Sequence, residues 1–168
     1  MSIAYRSCTL SGSASGPTLT ATVPAGVVNG DVLLLAVHVS GASLSPTITN
    51  PTGWTLLSTT LNGTSAIQKV YWRVASGEPS TYSITIANYS NSGSQTAMVA
   101  LSGADTTAPV SAQYGGQANA SSTSAVAPGL GSWSSSNGID VAFFSEAGAT
   151  DAGVTPPTNY TEPSGGDV

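Results

Sequence analysis

Eight consecutive residues, 32–39 (VLLLAVHV), form the longest nearly unbroken apolar run in the chain. The turn pair Asn29-Gly30 opens it and Ser40-Gly41 closes it, so the run suits a strand buried on both faces better than a helix. Side chains alternate along a strand, so Leu33, Leu35, Val37 and Val39 point one way and Val32, Leu34, Ala36 and His38 the other. After a polar loop, Pro51-Thr52-Gly53-Trp54-Thr55 makes a turn that delivers one large aromatic side chain.

The rest of the chain continues in short extended pieces. Residues 3–8 read as a first strand, residues 11–17 as a Gly/Ser link, and residues 18–23 as a half-exposed strand in which Leu19, Ala21 and Val23 alternate with threonines. Residues 54–61 and 64–74 flank Asn62-Gly63, a strong hairpin signal of type I′, which wants positive φ at both central positions. In the second arm the pattern places Val70, Trp72 and Val74 in the core and Lys69, Tyr71 and Arg73 on the surface. Further strands are expected at 81–86, at 96–101 with Met98 buried, at 110–114, at 124–127 and at 139–145. About nine or ten short strands with turns at this spacing predict an all-β fold, a two-sheet antiparallel sandwich, plain or jelly-roll-like. Strand order is left open.

Composition agrees. At 168 residues the chain is the size of one domain and can remove roughly 70% of its unfolded surface from water. Only 7% of residues are charged, and the Ala, Leu, Glu, Lys and Arg stretches that sustain long helices are scarce. Three basic residues (Arg6, Lys69, Arg73) against eight acidic ones leave a net charge of −5, which argues against nucleic acid and against an anionic membrane surface. Cys8 is alone, so stability is expected from packing without an intrachain disulfide. The first sixteen residues lack a cationic segment followed by an apolar core, and no apolar run approaches the ~18 residues of a membrane span; the expected place of synthesis is the cytoplasm. The sequons at Asn62, Asn88, Asn119 and Asn159 then reflect only an abundance of Asn, Ser and Thr.

Candidate chemistry is thin. His38 has no second His, Cys or paired carboxylate near it in sequence, so it reads as a hydrogen-bonded or edge histidine rather than a base or zinc ligand. The serines offer no Gly-x-Ser-x-Gly elbow. Asp31 and Asp140 read as turn caps that accept hydrogen bonds from nearby backbone amides. Asp105, Glu146 and Asp151 lack any established calcium-loop spacing. No catalytic residue, metal site or cofactor is therefore expected. One binding surface is conceivable: Tyr71, Tyr89, Tyr114 and Trp133 fall on outward positions or loops, where aromatic faces would stack on sugar rings, whereas Trp54 and Trp72 are assigned to the core.

An internal echo also stands out. The stretch from Asn29-Gly30-Asp31 through the apolar run resembles residues 137–144 (NGIDVAFF), and Pro51-Thr52-Gly53-Trp54-Thr55 resembles Pro157-Thr158-Asn159-Tyr160-Thr161. Two related halves, each with a central strand and an aromatic turn, would produce this pattern.

With the stretches VPAGVVNGDVLLLAV (23–37), NPTGWT (50–55), YWRVASGEPSTYSITI (71–86) and LSGADTTAPV (101–110), and later FFSEAG and PPTNYT, the chain resembles β-sandwich modules of phage virion proteins (head-decoration, tail or fibre components) and of bacterial surface proteins. The resemblance implies a non-enzymatic virion structural protein, first of all a capsid decoration or cement protein, partnered by major capsid or other virion proteins and forming a homo-oligomer. A carbohydrate-binding or adhesin module is the alternative. In domain terms, residues 1–17 are expected to be an N-terminal strand or arm, able to reach a neighbour, and residues 18–168 the sandwich. Such modules continue with a further pair of strands after the second aromatic turn, so the last sheet is expected to end incomplete.

Overall fold

The computed structural model describes residues 2–11, 16–40, 45–64, 66–88, 93–110 and 137–145. Among them eight strands form and no helix: β1 (Ala4–Ser11), β2 (Thr18–Thr22), β3 (Val32–Ser40), β4 (Thr47–Ile48), β5 (Thr55–Asn62), β6 (Ala66–Val74), β7 (Thr81–Ala87) and β8 (Ser94–Ser102). They make two antiparallel sheets, one of five strands in the order β1-β8-β3-β6-β5 and one of three in the order β2-β7-β4.

The pairs β1:β8, β2:β7 and β3:β6 are those made when one long hairpin is rolled up, first strand against last and second against seventh. This is jelly-roll connectivity. It departs from the ideal in one place. In a complete roll β5 would lie beside β4; here β5 pairs with β6 at the margin of the large sheet, and β4 pairs only with β7. Among the described residues the small sheet therefore has three strands and not four.

The apolar run lies at the centre as expected, with β3 third of five strands and paired on both sides. Its odd-numbered residues Leu33, Leu35, Val37 and Val39 are fully buried between the sheets, where they meet Leu19, Ala21, Ile84 and Ile86 from β2 and β7 and Met98 and Ala100 from β8. Each fully buried aliphatic side chain contributes roughly 1.5–3 kcal/mol. On the opposite face Val32, Ala36 and His38 are buried too, His38 lying in register with Gln68 of β6 and Gln95 of β8.

Turns set the frame. Gly30 (φ 91°) is the third residue of a turn closed by the Asp31 N–H to Val28 carbonyl bond, and Gly53 (φ 79°) holds the same place before Trp54, whose N–H bonds the Pro51 carbonyl. Both are type II turns, which need positive φ at that position. The second puts Trp54 into the core.

Several expectations need correction. The faces of β6 are reversed: Tyr71 is wholly buried, while Val70, Trp72 and Val74 lie half-buried on the outer face. The β5–β6 hairpin exists, but its ladder ends at the pair Asn62↔Ala66 and only Gly63 of the Asn-Gly pair has positive φ, so the turn is not type I′. Of the strand or arm expected at the N-terminus, the strand forms: β1 is hydrogen-bonded to β8 from Ala4 to Ser11, within the large sheet. Residues 139–145 form no strand, although Ile139, Val141 and Phe143 are half-buried and alternate with exposed Asp140 and Ala142. Within 137–145 the second half of the echo is thus absent as a strand; its aromatic turn at 157–161, the strand expected at 124–127, and all but Val110 of the strand expected at 110–114 lie outside the described residues.

Candidate interaction surface

Each of the three basic side chains is consumed by the fold. Arg6 is the extra residue at a bulge between Tyr5 and Ser7, and it makes a forked pair with Asp31, Nη2 to Oδ1 at 2.9 Å and Nε to Oδ2 at 2.6 Å. Bulges re-aim side chains in this way, and a bidentate guanidinium–carboxylate pair is a strong one. Asp31 also accepts from the Val28 N–H at 2.9 Å, as a turn cap should. Lys69 Nζ donates to the Ile48 carbonyl at 2.8 Å and to Asn50 Oδ1 at 3.3 Å, and burial lowers its pKa from the ordinary lysine value. The Tyr71 hydroxyl donates to the same Asn50 oxygen at 3.1 Å, and burial pushes its pKa up to about 12.

Arg73 anchors the densest polar cluster. Its guanidinium carbon lies 5.7 Å from the Trp54 ring centre and 5.5 Å from that of Tyr82, while the two rings meet edge to face at 5.3 Å. Its Nη2 pairs with Glu78 Oε1 at 3.0 Å, and that carboxylate also accepts from the Ser76 N–H and the Tyr82 hydroxyl. Burial first, then the hydrogen bond to Glu78, raises the Tyr82 pKa to about 12. Trp54 Nε1 and Arg73 Nε are buried without an acceptor, so the cluster is held by stacking and charge and not by complete hydrogen bonding. Beside it runs an open groove of about 370 Å3 lined by Val23, Pro24, Val27, Asn29, Glu78 and Pro79. Its Glu78 carboxylate is committed as described, and Asn29 Oδ1 accepts from the Gly77 N–H at 2.8 Å.

The three-stranded small sheet of the described residues leaves a different feature. On the inner face of β5, Leu56 and Leu61 pair across from Tyr71 and Ile67, yet they are 39% and 59% exposed. β5, of sequence TLLSTTLN, has no charged residue and no proline. It is an outermost strand of its sheet, and the groups on its free side are unpaired within that sheet.

Of the residues expected to bind sugar, one lies among the described residues. Tyr71 is a core residue bonded to Asn50, and Tyr89, Tyr114 and Trp133 lie outside the described residues. Trp72, assigned to the core, lies half-buried on the outer face. Asp140 is exposed, and Asp105 accepts from the Thr107 N–H at 2.7 Å. Among the described residues no group of three or more His, Cys, Asp or Glu side chains could hold a metal ion, and no helix is long and apolar enough to cross a membrane. The sequence reading missed the exposed ledge of β5. Its signal was present in Leu56 and Leu61, but exposure depends on tertiary arrangement: β5 lies beside β6 and not beside β4. No protein-family model matches the chain, and no curated protein or solved structure matches it.

Proposed function

We propose that the chain is a non-enzymatic virion structural protein, a capsid decoration or cement protein or else a tail or fibre component, that packs on neighbouring subunits. The observation that carries the packing role is the uncharged outer strand β5, with Leu56 and Leu61 exposed on it. Open strand edges recruit further strands through backbone pairing, and soluble proteins usually blunt them with charge or proline. β5 has neither. Internal use of Arg6, Lys69 and Arg73 supports protein partners over nucleic acid, since a phosphate backbone is held by free cations. The virion setting rests on the sequence resemblance described above. No observation favours the glycan-binding alternative, which loses Tyr71 to the core.

Quantitative mass spectrometry of purified virions tests the proposal. The chain is expected in a fixed copy number relative to the major capsid protein; its absence from washed particles overturns the reading.

A further inference from the structure

We infer that β5 is a self-association edge at which two copies of this chain join their large sheets across a two-fold axis, making one continuous sheet of ten strands. This rests on the subunit-packing role above and names its surface and its partner.

The bulge between Leu56 and Ser58 interrupts the ladder to β6, so the regular part of the edge is the five residues 58–62, STTLN. Laid antiparallel on itself, this segment pairs Ser58 with Asn62, Thr59 with Leu61 and Thr60 with Thr60. The register from Ser58 onward places Thr59 and Leu61 on the inner face, in line with Lys69 and Ile67, and Ser58, Thr60 and Asn62 on the outer face, in line with Val70, Gln68 and Ala66. Every pair in the proposed seam therefore joins residues of the same face, as an isologous contact requires. On the inner face each Leu61 lies against Thr59 of the second copy and diagonal to its Leu61, within reach for cross-strand packing. The most exposed of the large apolar side chains on the described surface is thereby covered.

The second copy is favoured over a different partner by charge. A foreign strand is commonly selected by complementary charges, and β5 offers none; the same absence removes the like-charge repulsion that keeps most edges from meeting their own copies. Jelly-roll connectivity points to the same edge. Because β5 lies beside β6 and not beside β4, its free side is not occupied by another strand of the described chain.

Thr60, on the axis, provides the test. Wild-type protein is expected to sediment as a dimer of the 16.6 kDa chain. Thr60→Lys and Thr60→Glu each place like charges directly opposite one another and are expected to raise the dimer dissociation constant about tenfold or more, with unchanged far-UV circular dichroism. An equimolar mixture of the two variants is expected to recover the dimer as a mixed species. Wild-type protein that stays monomeric, a Thr60→Lys variant that dimerises undiminished, or a mixture that fails to recover would each overturn the inference. So would cross-links from β5 to residues 139–145 of the same chain, since the edge would then be closed from within. Cosedimentation with virions separates the two proposals: monomeric protein that still binds particles refutes the β5 seam alone, whereas protein that neither dimerises nor binds refutes subunit packing as well.

Discussion

Replacing Arg6 by Met leaves the Asp31 carboxylate inside the protein without its counter-charge. The Asp31 side chain is only 3% exposed and would keep one partner, the Val28 N–H. Removing one member of a buried ion pair typically costs ~3–5 kcal/mol, because the charge left behind has lost its solvation. Arg6 itself is 31% exposed, however, so water can reach the space it leaves. The expected loss is therefore smaller, about 2–3 kcal/mol, or a fall of roughly 5–10 °C in Tm for a chain of this size. Asp31→Asn keeps the shape and an oxygen for the Val28 N–H, and should cost only about 1 kcal/mol. Once Asp31 is neutral, Arg6→Met should add little, so the double variant should lie near Asp31→Asn. A guanidinium chloride double-mutant cycle measures this directly. Single losses that simply add, or an Arg6→Met cost below ~0.5 kcal/mol, would refute the view that the β1 bulge exists to neutralise the carboxylate at the start of β3.

Tyr71→Ala should destabilise by ~3–5 kcal/mol as a wholly buried aromatic, and Tyr71→Phe by only ~0.5–1.5 kcal/mol, since Asn50 Oδ1 still has Lys69; thermal unfolding of both variants decides. Folded Tyr71 and Tyr82 titrate near 12, above the ordinary value of 10.0, so their contribution is complete below pH 10 and is lost as pH rises towards 12. Denaturant midpoints should accordingly fall across that window, and absorbance at 295 nm should show late-titrating tyrosines in the folded state. Gly103→Ala should be costlier than Gly30→Ala, although both have positive φ: a Cβ at Gly103 would meet the Ser2 carbonyl oxygen at 2.5 Å, whereas nothing lies within 4 Å at Gly30. Calorimetry on the two variants should rank them in that order.

The apolar run at β3 was legible because both its faces are covered, one by the small sheet and the other by the surroundings of Val32, Ala36 and His38; continuous hydrophobicity signals that situation without ambiguity. The turns at Gly30 and Gly53 were legible as turns, while their type II form follows from the positive φ of both glycines. β6 was misread because alternation identifies two faces but does not say which is inside. Its inner face carries Lys69, Tyr71 and Arg73, and a pattern rule sends the charged set outward. The small sheet is short at that margin, so the stem of Lys69 crosses apolar surface and its ammonium reaches the end of β4, while Arg73 escapes to Glu78 between two aromatic rings. The partners of Asp31 and Glu78 were equally hidden: Arg6 lies 25 residues from Asp31 in sequence, and only the β1 bulge brings it there. The apolar run expected as a strand at 139–145 is half-buried at Ile139, Val141, Phe143 and Phe144, but a strand also requires a ladder, and these residues form none.

The role proposed for this sandwich is packing on neighbouring subunits. Electron cryomicroscopy of the assembled virion tests it most directly. Density is expected for a two-sheet sandwich with the five-plus-three arrangement, in stoichiometric copies, with the β5 edge of each copy facing a neighbouring subunit. Particles whose fully interpreted surface and tail contain no such density, or copies whose β5 edge faces open solvent throughout, would contradict it.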